Sequence, residues 1–352
     1  MKALRFYAPE DVRLEDQPEP SCGPDEVKIR VRNCSTCGTD VKIFHNGHQN
    51  LSPPRTIGHE IAGEIVEVGA DVAATYGQDW HVGDRVQVIA AVPCGKCHEC
   101  RKGWMAVCEN QTSVGYQYEG GFAEYMVVPR QVLQVGGLNR VPENVGFDEA
   151  SAAEPLACAI NAQELLGIEP GDIVVVFGAG PIGCMHIRLA RGVHQAGQVY
   201  LVDVNADRLA MSAEVAAPDE AIDASRTDVV ERVKELTGGR GADVIITATA
   251  AKVAQEQAVA MAARNGRISF FGGLPKTDPV IQLDSNVVHY RQLHIHGANG
   301  SAPEHNRRAL EYISTGQVPV KDLITNHVPL EDVLSAFDIV RSGRGIKVTV
   351  EP

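Results

Sequence analysis

The segment Ala91 to Asn110 reads AVPCGKCHECRKGWMAVCEN and sets Cys94, Cys97, Cys100 and Cys108 at C-x2-C-x2-C-x7-C, four of the chain's nine cysteines. A tight loop of this spacing turns four thiolates toward one centre, the tetrahedral set that a structural zinc takes at about 2.3 Å. Gly95 and Gly103 supply the sharp turns, and Lys96, Arg101 and Lys102 offset the negative charge. An iron–sulfur cluster is the alternative, but the spacing matches no ferredoxin run. Four protein ligands leave no position for a substrate, so the chemistry lies elsewhere.

A second grouping begins at Cys34 and Cys37, a C-x-x-C in NCSTCGTDVKIF. A thioredoxin-like pair would open a helix inside a βαβ unit, whereas this one follows the strand-like EVKIRVRN in a region poor in helices. The two thiols are therefore assigned separate roles. Twenty-two residues beyond Cys37, His59 and Glu60 adjoin in TIGHEIAGEIVEVGADV. Thiolate, imidazole and carboxylate make a site that suits zinc with one position left for water or substrate. Without such a partner, a His-Glu pair reads as a satisfied surface strand.

The third grouping is DIVVVFGAGPIG, Asp172 to Gly183, an apolar strand running into a glycine turn and then the helical CMHIRLARGVH. Gly178, Gly180 and Gly183, with Pro181 and Ile182 between them, place backbone amides against a pyrophosphate at a helix N-terminus. Twenty residues after Gly183 the strand QVYLVDV carries Asp203, whose carboxylate accepts ribose hydroxyls and repels a 2′-phosphate, which favours NAD over NADP. Arg208, five residues on, softens that preference if it faces the ribose.

The elements that must carry these residues follow from the pattern. Beyond residue 155 strands and helices alternate (ADRLAMSAEVAA, EAIDA, TDVVERVKELTGG, ADVIITATA, VAQEQAVAMAARNG, RISFFGG, LHIHGANG), which predicts a doubly wound parallel sheet. At 352 residues the chain exceeds one ordinary core and predicts two domains. These are a mostly β domain over 1–154 and 288–352, and a dinucleotide domain over 155–287. A net charge of −13 without a dense basic cluster argues against nucleic acid. No apolar run reaches a membrane span, and the start MKALRFYAPEDVRLED lacks the apolar core of a signal peptide, so a cytoplasmic place is expected. Reduced thiols in that compartment and an odd cysteine count fit metal better than disulfides.

The run G-H-E-x-x-G-x5-G-x2-V from Gly58 to Val72, with Cys37-Gly38-Thr39-Asp40 and the four-cysteine lobe in the same order, resembles the zinc-containing alcohol dehydrogenases of the medium-chain dehydrogenase/reductase superfamily. The polyol and threonine dehydrogenase branch is especially similar. The resemblance covers essentially the whole chain and implies a GroES-like catalytic domain plus a Rossmann domain, two zinc ions, NAD, and an active site in the cleft between the domains. It implies catalytic zinc on Cys37 and His59, the Glu60 carboxylate beside the metal, and Glu154, in Glu154-Pro155-Leu156, as a further carboxylate. Thr39 matches the family's proton-relay hydroxyl. Backbone near Phe271-Gly272 and Gly297-Ala298-Asn299 corresponds to segments that meet the nicotinamide in relatives. Cys158, the sole candidate for a second thiolate ligand, reads as a buried helix thiol among Ala153, Leu156, Ala157 and Ile160.

Two positions depart from the pattern. Lys42 stands where many relatives carry the outer relay histidine, with His45 as a possible substitute, and Ala91 stands where threonine dehydrogenases carry a histidine. The expected reaction is oxidation of a secondary alcohol of a polyol, sugar or cyclitol to a ketone. Glu154 and the polar loop Gly115-Tyr116-Gln117-Tyr118-Glu119 are expected to meet neighbouring hydroxyls. Threonine or a sugar phosphate is the alternative substrate, and a non-catalytic NAD-binding protein is the alternative of another class. Relatives form dimers or tetramers, and the apolar RISFFGG is the expected pairing edge.

Overall fold

The computed structural model describes residues 1–352, which divide into two compact units, 1–157 with 300–352, and 158–299. The first unit is built on a seven-stranded sheet. Its main path runs Leu138–Arg140, Arg85–Val88, Glu60–Val68, Val27–Ser35, Lys347–Glu351 and Ile324–Pro329, with Tyr125–Val128 also paired to Val27–Ser35. VKIRVRNCS alternates as a half-buried strand should, burying Ile29 and Val31 against Ile61, Ile65, Val86, Val88, Val348 and Val350. Register then does the assembly. Ser35 pairs with Glu60 on one side and with Thr349 on the other, so segments from three distant parts of the chain meet at one end of a single strand. Gly63 permits this, because a Cβ there would stand 2.3 Å from the Arg30 carbonyl oxygen.

The second unit is a six-stranded parallel sheet in the order Glu220–Asp223, Gln198–Asp203, Ile173–Phe177, Ala242–Thr247, Ala262–Phe270 and His294–Gly297. Helices cover it, and the central Val174, Val175 and Val176 are fully buried, as expected where both faces of a parallel sheet are covered. The unit ends at Asn299 rather than at 287, because His294–Gly297 pairs in parallel with Ala262–Phe270 and so extends this sheet. Its start lies within the helix Ala153–Leu166, three residues beyond the expected boundary. The RISF of RISFFGG belongs to the interior strand Ala262–Phe270, and the edge beside it is His294–Gly297. No helix is long and apolar enough to cross a membrane.

His186, on the helix Pro181–Gly192, is fully buried beside Gln163 and edge-on to Phe271, and burial alone lowers its pKa to about 3. The unfolded chain, with an ordinary imidazole near 6.5, binds one proton more than the folded chain between these values. The neutral histidine thus adds stability above about pH 6.5, and this is lost toward pH 3 at up to about 1.4 kcal/mol per pH unit. His186→Gln should flatten the stability profile by about one proton over that window in urea unfolding at stepped pH. An unchanged slope would show that His186 charges without unfolding.

Candidate functional site

Cys37 is the N-cap of the helix Gly38–Asn46, directly after the strand that ends at Ser35, and His59-Glu60 opens the neighbouring strand. Register therefore carries the thiol to the imidazole and carboxylate, and the ligand atoms of Cys37, His59 and Glu60 all lie within 4.8 Å of one another. Cys34, by contrast, is buried in the core. Asp40 locks the corner. One of its oxygens accepts the Cys37 N–H at 2.8 Å and the other faces His59 Nδ1 at 3.2 Å without a well-formed hydrogen bond, which leaves Nε2 as the nitrogen that could meet a metal. Burial opposes charge on His59, but the Asp40 carboxylate outweighs it and raises the imidazole well above its ordinary value.

Glu60 is fully buried and pairs with Lys347 of the last strand, whose ammonium also donates to the Thr36 carbonyl at 2.9 Å. Burial pushes Glu60 up to about 7, with Glu154 adding and Lys347 opposing. Burial works against the Lys347 charge, yet Glu60 and Cys37 raise its pKa. Neither Glu60 oxygen receives a well-formed hydrogen bond. A buried carboxylate with open lone pairs, a thiol and an oriented imidazole fit a zinc ion. Glu154 is buried and its charge acts on Glu60 and Lys347, but it stands outside the three-ligand group. Cys158 is half-buried rather than buried and is no member of that group.

Thr39 lies half-buried in the first turn of the Cys37 helix, Lys42 points to solvent, and His45 pairs with Glu10, away from the role suggested for it. The loop after the four-cysteine lobe contributes one ring. Tyr116 lies 6.0 Å from His59 and meets His48 edge-on at 4.9 Å. Burial pushes its phenol up to about 12, with His59 opposing and Asp40 adding. Sequence reasoning assigned no role to Asp40 or Lys347. Asp40 was signalled by its distance of three residues from Cys37, but Lys347, in GIKVTVEP, carried no local signal.

Cys94, Cys97, Cys100 and Cys108 bring their sulfurs within 4.8 Å of one another. All nine cysteines are free, and Cys97 and Cys108, at 3.7 Å between sulfurs, are too far apart for a disulfide. Backbone amides prepare the cluster for negative charge. Cys94 N–H points at Cys108 Sγ at 3.2 Å and Cys97 N–H at Cys94 Sγ at 3.3 Å. The Lys96 amide is the main cause that brings Cys94 down to about 6. A four-thiolate zinc site fits here and is closed.

In the second unit the three glycines do different work. Gly178 has φ +103° and a Cβ there would meet the Ala248 carbonyl oxygen at 2.6 Å, while a Cβ on Gly183 would stand 1.9 Å from the Gly178 carbonyl oxygen. Gly180, the N-cap, opens on free space before Pro181 and Ile182 begin the helix, so a phosphate can approach its amides. Asp203 ends its strand as expected, accepting Ala179 N–H at 2.7 Å through one oxygen, and Asn205 N–H at 2.8 Å and Arg208 at 3.0 Å through the other. Gly272 donates to the Thr247 carbonyl at 2.7 Å, where a side chain would not fit, while Gly297 is open.

Removing one partner of the Glu60–Lys347 pair strands a buried charge. Lys347→Met should cost about 3–5 kcal/mol in urea unfolding of the metal-free protein, and Glu60→Gln in the same chain should restore most of it. A double variant as unstable as Lys347→Met would sink the pairing.

The alcohol dehydrogenase GroES-like domain family matches residues 23–136, and the zinc-binding dehydrogenase family matches residues 181–315. A sorbitol dehydrogenase of Halalkalibacterium halodurans is 31 % identical over 341 residues, 96 % of this chain and 95 % of the relative. An L-threonine 3-dehydrogenase of Symbiobacterium thermophilum is 34 % identical over 360 residues, 100 % and 98 % of the two chains. The crystal structure of 2R,3R-butanediol dehydrogenase from Bacillus subtilis superposes with a TM-score of 0.87 at 26 % identity, covering 100 % of this chain and 99 % of its own. Two domain families in this order, with relatives similar along nearly the whole length, show that the chain belongs to the zinc-containing alcohol dehydrogenases of the medium-chain dehydrogenase/reductase superfamily.

Proposed function

We propose that this chain oxidises a secondary alcohol of a polyol, sugar or cyclitol to a ketone, with NAD taking the hydride and zinc held by Cys37, His59 and Glu60. The observation that carries the reading is the convergence of those three ligand types within 4.8 Å around a buried carboxylate whose one partner is the Lys347 ammonium and which receives no well-formed hydrogen bond. Zinc bound there supplies the Lewis acidity that makes an alcohol O–H acidic near neutral pH. Asp40 orients the His59 ring, and Lys347 opposes the burial that favours the neutral form of Glu60. Thr39 Oγ1 receives the alcohol proton and passes it outward, and since Lys42 is exposed and His45 is turned to Glu10, solvent is the next acceptor. Glu154 adds negative charge behind the substrate. Gly178, Gly180, Pro181, Ile182 and Gly183 cradle the pyrophosphate, and Asp203, with Arg208 against it, holds the adenosine ribose and favours NAD. The four-cysteine lobe holds the structural zinc.

The open edge strand His294–Gly297, with Tyr290 72 % exposed on the helix before it, supports pairing with a second copy. Nine free thiols suit a cytoplasmic place. Sedimentation velocity should give a dimer or tetramer, and a monomer at micromolar concentration would overturn the pairing.

Cys37→Ser should lose turnover on every alcohol and hold about one zinc per chain instead of about two, with NADH binding unchanged. Cys100→Ser should lose the other zinc together with thermal stability. NADH formation across polyols, cyclitols, sugar phosphates, threonine and simple alcohols names the substrate. Full activity of Cys37→Ser would refute the metal assignment.

A further inference from the structure

We propose that the Tyr116 hydroxyl donates a hydrogen bond to a second hydroxyl of the substrate, on the carbon next to the one oxidised, so that the site selects vicinal diols over simple secondary alcohols. The inference rests on the alcohol-oxidising reading above and assigns one residue to its selectivity.

The loop from Ser113 to Gly121 is clamped against the start of the His59 strand. Gly120 N–H donates to the Thr56 carbonyl at 2.8 Å and Gly121 N–H to the Gly58 carbonyl at 3.0 Å. A Cβ at Gly115 would come within 2.9 Å of the Gly58 carbonyl oxygen, and one at Gly120 within 2.3 Å. Only glycines let two backbones approach so closely, and the approach sets the Tyr116 ring beside His59. The ring also meets His48 edge-on.

Between Gly115 and Gly120, the other three polar side chains each have a partner in the chain. Gln117 Oε1 accepts the Ser113 N–H at 2.9 Å, and the Tyr118 hydroxyl lies 3.4 Å from Thr112 Oγ1. Glu119 bridges Arg5 at 2.7 Å and Arg55 at 3.1 Å and accepts the Thr56 N–H at 2.7 Å. The broad role expected of this loop in binding hydroxyls thus narrows to Tyr116, whose hydroxyl takes part in none of these hydrogen bonds and whose ring stands 6.0 Å from that of a candidate zinc ligand. A phenol so placed is a donor waiting for an oxygen. A site that hydrogen-bonds a substrate hydroxyl penalises the analogue that lacks it, since the donor is then left unpaired.

The test uses the zinc-loaded enzyme with saturating NAD and two probes that differ by one hydroxyl, 2,3-butanediol and 2-butanol. Tyr116→Phe keeps the ring and its packing. It should raise the KM for the diol about tenfold, leave kcat within about twofold, and leave the KM for 2-butanol unchanged. Calorimetric Kd of the diol for the zinc-loaded protein should rise in the same ratio, while zinc content and Tm match wild type. Tyr118→Phe, as control, should move neither constant. Equal changes for both alcohols, or none, would overturn the role of Tyr116 while leaving the alcohol reading intact. If the wild type oxidises no alcohol at all, that reading fails, and a diol Kd equal in wild type and Tyr116→Phe would then reject the hydrogen bond on its own.

Discussion

The candidate metal centre depends on one buried ion pair. Glu60 at the head of one strand and Lys347 in the last strand are brought face to face because Ser35 is flanked by Glu60 and by Thr349 in the same sheet. An isolated carboxylate at that depth would protonate. The ammonium beside it, held in turn by the Thr36 carbonyl, opposes that burial and favours the charged form of Glu60 next to Cys37 and His59. A cation then enters a place already balanced for it, and the electrostatics of the site belong to the sheet register rather than to any single loop.

Around that pair, the candidate ligands are oriented by neighbours outside the three-residue group. Asp40 ties the Cys37 amide to the His59 ring, so the helix cap and the imidazole orientation are one feature. The four-cysteine lobe follows the same principle with backbone amides in place of a carboxylate. In the second unit the glycines divide the labour between a left-handed turn, an open approach and a tight helix packing.

Much of this was legible in the sequence because it is local. The four cysteines, the His-Glu pair, the glycine turn and Asp203 are recognised by short spacings, and the alternation of strands and helices gave the parallel sheet. What was not legible is what only register creates. Lys347 sits 287 positions beyond Glu60, and no periodicity announces that its strand docks there. The same is true of His294–Gly297, where an apolar neighbour, RISFFGG, reads as the edge until the pairing shows it to be interior. Glu154 belongs to the charge environment of Glu60 and not to its three-ligand group, a difference that residue type cannot express.

The continuity of the first unit is broken by the second, which occupies residues 158–299. A ribosome therefore releases the whole parallel sheet while the strand bearing Lys347 is still unmade. The inserted unit can reach its native contacts first, and the outer one must wait, its Glu60 uncompensated, until the strand bearing Lys347 has been made. Pairing of Glu60 with Lys347 thus follows synthesis of the whole inserted unit, timed by the order of the chain.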